Sequence, residues 1–109
     1  MRFKWVPPGS SLQWQAFERL IEEVRGRGNS VFVVVGPFNE HLLADDNRAT
    51  YHALRESIGQ WLTQNHVPHA VPEALPSALY ADASHPLTEG YHVLAERLYA
   101  DPQFQDWVK

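Results

Sequence analysis

The sequence contains no cysteine, which excludes a disulfide framework and thiol chemistry and is neutral about compartment. It also lacks any run of about 18 apolar residues, so no membrane-spanning helix is expected. The first eight residues, MRFKWVPP, lack the apolar stretch of a secretory signal, and a cytoplasmic location is the default expectation. Basic residues are few and scattered: 9 Lys and Arg stand against 13 Asp and Glu, a net charge of -4. That balance argues against a nucleic-acid footprint, which would show as clustered cations. There are no internal repeats, no low-complexity tracts and no linker. At 109 residues the chain is expected to form one domain over residues 1–109. At that size roughly a third of the unfolded surface stays exposed.

The elements that are present alternate. Residues 3–6 read as a short strand or an extended arm, stopped by Pro7, Pro8 and Gly9. Ser10 is expected to start a first helix, with Gln13 three residues on in the pattern of a capping box. Phe17, Leu20, Ile21 and Val24 then recur at helical spacing, and Gly26 and Gly28 end the helix. Residues 31–35 form an apolar, mostly β-branched run without alternation, which reads as a strand covered on both faces. A loop through Gly36, Pro37, Phe38, Asn39 and Glu40 leaves its end. Asp45, Asp46 and Asn47 offer caps for a second helix with an apolar face of Tyr51, Leu54, Ile58, Trp61 and Leu62, ending near Asn65. Residues 69–71 read as a further short strand, and Pro72 and Pro76 bracket an irregular segment. A third helix is expected from about Pro86 to Tyr99, with Leu87, Tyr91, Leu94 and Leu98 inward, and a last turn near residues 104–107. This order predicts an α/β fold with a short parallel sheet flanked by helices.

The chemistry-bearing stretch is Asp82-Ala83-Ser84-His85-Pro86. A carboxylate three residues ahead of a histidine can fix the ring's tautomer, so that its other nitrogen takes a proton. Pro86 at a first helical position would define where the loop ends. Both polar loops follow candidate strands, at the sheet edge where ligand sites collect in open α/β folds. They are expected to meet there. The plain alternative is an Asx-type turn that caps the third helix, with His85 satisfied by Asp82.

Asp82-Ala83-Ser84-His85-Pro86 followed by Leu87-Thr88-Glu89-Gly90-Tyr91 resembles the final block of the SGNH (GDSL-type) hydrolases. Pro37-Phe38-Asn39-Glu40 is similar to that family's Gly-x-Asn-Asp block, with Pro37 in place of Gly and Glu40 in place of Asp. The likeness runs over roughly residues 10–100 and corresponds to the family's C-terminal half. It implies a small three-layer flavodoxin-like fold and ester or acyl hydrolysis. It further implies His85 as general base, Asp82 as its orienting partner, Asn39 as oxyanion donor and Gly90 as a close-packing helix residue. The family's nucleophile block has no counterpart. Gly9-Ser10-Ser11-Leu12 is the near match, and it leaves Ser11 as the candidate nucleophile unless capping by Ser10 accounts for the segment.

Two readings follow: a hydrolase-like domain without autonomous esterase activity that acts as a binding or assembly module, or an active esterase on a small ester. The active form would take its serine from Ser11 or from a partner chain, or would use His85 and Asp82 to activate water. No cofactor is implied. His41, His52, His66, His69 and His92 lack paired ligand spacing, apart from His66 and His69 across a short turn, so no metal is expected. Trp5, Trp14, Trp61 and Trp107 read as core or interface aromatics. A sheet this thin leaves an edge and an apolar patch bare, and a homo-oligomer, most simply a two-fold dimer through that sheet edge or face, is expected.

Overall fold

In the computed structural model, which describes residues 1–109, the apolar run at 31–35 gives only its centre to a sheet. Strand β1, Val33–Val34, pairs in parallel with β2, His69–Ala70, Val33 opposite His69 and Val34 opposite Ala70. The N–H groups of Val33 and Val35 donate to Pro68 and Ala70 carbonyls, both at 3.0 Å. Backbone groups alternate between the two edges of a strand, so those of Phe32 and Val34 point the other way, where no third strand lies. The outer edge of β2 is treated differently: the His69 N–H donates to the Gln103 side-chain oxygen at 3.2 Å.

Four helices accompany this pair in the order α1 (Leu12–Gly26), β1, α2 (Asp45–Gln64), β2, α3 (Thr88–Ala100), α4 (Pro102–Trp107). Side chains alternate across a strand, and the two faces of residues 31–35 meet different helices. Val31, Val33 and Val35 pack on the core of Ile21, Leu62 and Val67, which α1, α2 and the turn before β2 supply. Phe32 faces α4, with its ring edge-to-face on Phe104 at 5.3 Å. Val34 lies across an apolar groove from Leu94 and Leu98 of α3. Helices therefore flank both faces of a two-stranded parallel sheet. The expected α/β order holds at that level.

The strand is less covered than its composition suggests. Val34 keeps 47% of its surface exposed, which corrects the expectation of burial on both faces. A single paired neighbour leaves the space over Val34 only partly filled by α3. Residues 3–6 form an arm and no strand. Phe3 exchanges backbone hydrogen bonds with the Asn47 side chain at 2.8 and 2.9 Å, and Arg2 pairs with Asp46 at 2.8 Å.

Those contacts take the residues expected to cap α2, whose N-cap is Ala44; Asp45 and Asp46 lie in the first turn, where negative charge suits the helix dipole. Ser11, one residue later than expected, caps α1 by accepting from the Trp14 N–H at 3.1 Å. Ser10 is used up in a tight turn over Pro8–Ser10, donating its N–H to Pro7. Beyond α1, Gly28 takes φ +84°, a conformation suited to glycine. The third helix starts at Thr88, not at Pro86, because Pro86 is bridged to Tyr80 and Leu87 is extended at ψ 170°, its N–H donating to the Leu79 carbonyl at 2.7 Å. On that helix Tyr91 is 55% exposed, and Leu87 is exposed too, so the inward face reduces to Leu94 and Leu98.

The tryptophans pack in aromatic clusters. Trp14 stands edge-to-face on Trp61 at 5.2 Å, Trp5 lies 5.5 Å from Tyr51, and Trp107 lies 5.6 Å from Phe32. No helix is long and apolar enough to cross a membrane.

Candidate functional site

The acid–histidine loop is closed from both ends. A short turn over Ser77–Leu79 leads into Tyr80, which forms an isolated antiparallel bridge with Pro86. Within the bridge, the Ala81 N–H donates to the His85 carbonyl at 2.7 Å. Gly90 makes this closure fit: a Cβ there would stand 2.7 Å from the Leu79 carbonyl oxygen and 3.0 Å from Pro86 Cβ. His85 is thus placed by a pinched hairpin rather than by a helix starting at Pro86.

Inside the loop Asp82 is the organising group. Its Oδ1 accepts the N–H groups of Ser84 and His85, each at 2.9 Å, the Asx-type turn that the spacing allowed. Both carboxylate oxygens also lie 2.9 Å from His85 Nδ1. The Ser84 N–H and then the His85 ring hold the Asp82 carboxyl below its usual range. An ionised carboxylate can only accept, so Nδ1 carries the proton and Nε2 is left with a free lone pair. The pair is exposed, with 70% of the His85 and 58% of the Asp82 side-chain surface open. Water therefore screens it far more than it would a buried pair.

The second loop is fastened to the first. Asn39 donates its backbone N–H to the Ala83 carbonyl at 2.8 Å, which joins the strand-following turn to the middle of the acid–histidine loop. Two tyrosines brace this junction. Tyr51 accepts the Phe38 N–H at 2.9 Å, and Tyr80 donates to the Phe38 carbonyl at 3.2 Å while accepting the Leu75 N–H at 3.1 Å. Burial pushes the Tyr51 phenol up, which keeps it a neutral hydroxyl. The Asn39 side chain is only 3% exposed. One end of its amide meets the Ser77 hydroxyl at 3.4 Å, and the other end has no partner. The donor end is the one turned to Ser77 and the free end is the amide oxygen, an acceptor, whose burial without a partner is costly.

The structure brings Asp82, His85 and Asn39 into one junction. Ser11 serves elsewhere, with its hydroxyl spent on the cap of α1. The hydroxyl nearest His85 is Ser84 Oγ, 3.2 Å from Nδ1, the nitrogen already turned to the carboxylate. No serine of this chain is bonded to Nε2. Glu40 pairs with His52 on α2, and the Arg48 guanidinium donates to the Glu40 carbonyl at 3.0 Å, so Glu40 anchors its loop to the helix. The other histidines bond locally. His41 Nε2 lies 3.0 Å from the Leu75 carbonyl, His69 Nδ1 2.8 Å from that of Val67, and His92 3.0 Å from Glu96. No group of three or more His, Asp or Glu side chains is gathered to hold a metal ion.

The sequence reading does not single out Ser77 or Tyr80, and it gives Tyr51 only as part of the apolar face of the second helix. Nothing in the local pattern marks them, since each acts on a backbone or amide group brought near by the fold. Ser84 was in view inside the motif, and only coordinates reveal which ring nitrogen it approaches. Compared with known proteins, the chain matches no family model, no curated protein and no solved structure.

Proposed function

We propose that the joined loops are the acid–base half of an ester-hydrolase site of the SGNH type, and that the chain by itself is a binding or assembly module without autonomous esterase activity. The observation that carries this reading is the 2.8 Å bond from the Asn39 N–H to the Ala83 carbonyl. It joins the candidate oxyanion loop to the carboxylate–imidazole loop, as a hydrolytic site requires. The orientation of His85 supports it further: Nδ1 faces Asp82, Nε2 has no partner in the chain and the side chain is 70% exposed, an arrangement in which an imidazole can take a proton from a hydroxyl. A sheet with helices on both faces is in keeping with a small three-layer flavodoxin-like fold, of which these strands would be one part.

The missing component is the nucleophile. Without a serine at Nε2 no acyl-enzyme can form, and His85 is left to act on water or on a hydroxyl supplied by another chain. The exposed Nε2 favours water as the second reading, in which slow hydrolysis of labile esters depends on His85.

The test incubates the purified chain with short p-nitrophenyl esters and with a fluorophosphonate probe. The expected result is no covalent labelling and no turnover above the His85→Ala background. Turnover that disappears in His85→Ala without labelling would install the water reading. Labelling of Ser11 or Ser84 would overturn the proposal.

A further inference from the structure

The molecule exposes more surface than its mass accounts for. Its accessible area is 7270 Å², whereas a folded monomer of 12.5 kDa exposes about 6,200 Å². The Cα radius of gyration is 14.9 Å, against about 13 Å for a globular chain of this length, and the molecule is a slab of 41 × 34 × 18 Å. The excess of about 1,100 Å² exceeds the roughly 800 Å² that each partner contributes to a standard interface.

Apolar concavities flank the free edge of β1. One, a hollow of about 490 Å³, is lined by Phe17 and Leu20 of α1, by Val31, Phe32 and Val33, and by Trp107 of α4, so residues of both strand faces border it. The other, a groove of about 400 Å³, runs between the sheet and α3, with Val34 and Ala70 on one wall, Leu94 and Leu98 on the other, and Arg97 and Asp101 also bordering it. Between them run the outward N–H and C=O groups of Phe32 and Val34. From Ser30 to Asn39 there is no charged residue, so the edge lacks the lysines and inward charges that normally block strand addition.

We infer that this edge pairs with the same edge of a second copy, antiparallel about a two-fold axis at Val33, so that two short sheets become one. The edge is self-complementary in that register. Phe32 of one copy stands opposite Val34 of the other, and each outward N–H meets a carbonyl. A partner selected by charge would need charged residues along the edge, and there are none. Two copies of a chain with net charge -4 can meet there without like charges opposed. The surface in excess is of the size that a stable two-fold contact removes. This inference stands on the sheet and the surface area and is independent of the hydrolase reading.

The test is the solution mass of the full chain by light scattering and sedimentation equilibrium across the micromolar range. The expected mass is twice 12.5 kDa. Val34→Lys, at a half-exposed position, is expected to halve it, while Leu12→Lys, on the exposed start of α1, leaves it unchanged. Amide exchange on the wild-type chain gives a second readout that needs no variant. The Phe32 and Val34 amides gain protection as concentration rises. A monomer throughout, or a dimer that Val34→Lys does not weaken, would overturn the inference. So would protection of these amides that arises only when a different polypeptide is added.

Discussion

Asp82 does two things with one carboxylate: it closes a turn on the backbone and it orients an imidazole. Its lowered pKa gives this arrangement a definite pH dependence. A depressed folded-state value means that the charge stabilises the loop fully above the ordinary carboxylate value of 3.8, and that the contribution is lost as pH falls through the lower, folded value. Protection factors at Ser84 and His85, taken relative to the intrinsic exchange rate at each pH, are therefore expected to be high at neutral pH and to fall below about pH 4, and Asp82→Ala should show the low protection at all pH values. Tyr80 allows a second prediction at this scale. It is buried, and its hydroxyl serves the Leu75 N–H and the Phe38 carbonyl together. Tyr80→Phe leaves the buried Leu75 N–H without a partner, while the Phe38 carbonyl keeps the Glu40 N–H at 2.8 Å, and is expected to cost about 1–3 kcal/mol in urea unfolding, with the far-UV spectrum unchanged. The Asp82–His85 pair was legible in the sequence because its partners are three residues apart. The partner of Asn39, Ser77, was not, since that contact spans 38 residues. No local pattern encodes a contact that only folding creates.

Among the elements, the helices were easier to read than their ends. Periodicity located α1, α2 and α3, because an apolar stripe must face a core wherever the helix starts. Their first residues differ from the reading because other contacts claim the expected starts: the tight turn takes Ser10, Phe3 takes the Asn47 side chain, and the bridge to Tyr80 holds Pro86 in extended backbone. The run at residues 31–35 differs from its reading in length and cover: only Val33–Val34 pair and Val34 stays 47% exposed, because a two-stranded sheet with one bare edge gives α3 too little to pack against. Gly90 carries the prediction at this scale. Gly90→Ala would force a Cβ to 2.7 Å from the Leu79 carbonyl and 3.0 Å from Leu75, separating α3 from the pinched hairpin. Strain of that kind costs about 1–3 kcal/mol. Thermal unfolding is expected to show that loss, and the His85 ring resonances should broaden as its loop loosens.

For the whole molecule, 10 of 109 residues are buried, a small core for the number of helices it must hold. Leu62, fully buried between α1, α2 and the sheet, is its central side chain. Leu62→Ala is expected to lose about 2–5 kcal/mol by chemical denaturation. If two copies share the β1 edge, the melting temperature should also rise with protein concentration, because mass action stabilises whatever the paired state binds. A melting temperature that stays constant over a hundredfold dilution would contradict the paired state.

One detail decides how far such pairing can extend. The outer edge of β2 is occupied by a glutamine reaching over from α4, whose side-chain oxygen takes the His69 N–H. An assembly that grows through one edge only is finished once two edges have met, whereas a strand pair open on both sides can polymerise. In such a pair Gln103 would cover the second edge and stop growth into fibres. Trading it for a residue too short to reach the strand would give this protein a second adhesive border and a route to open-ended aggregation.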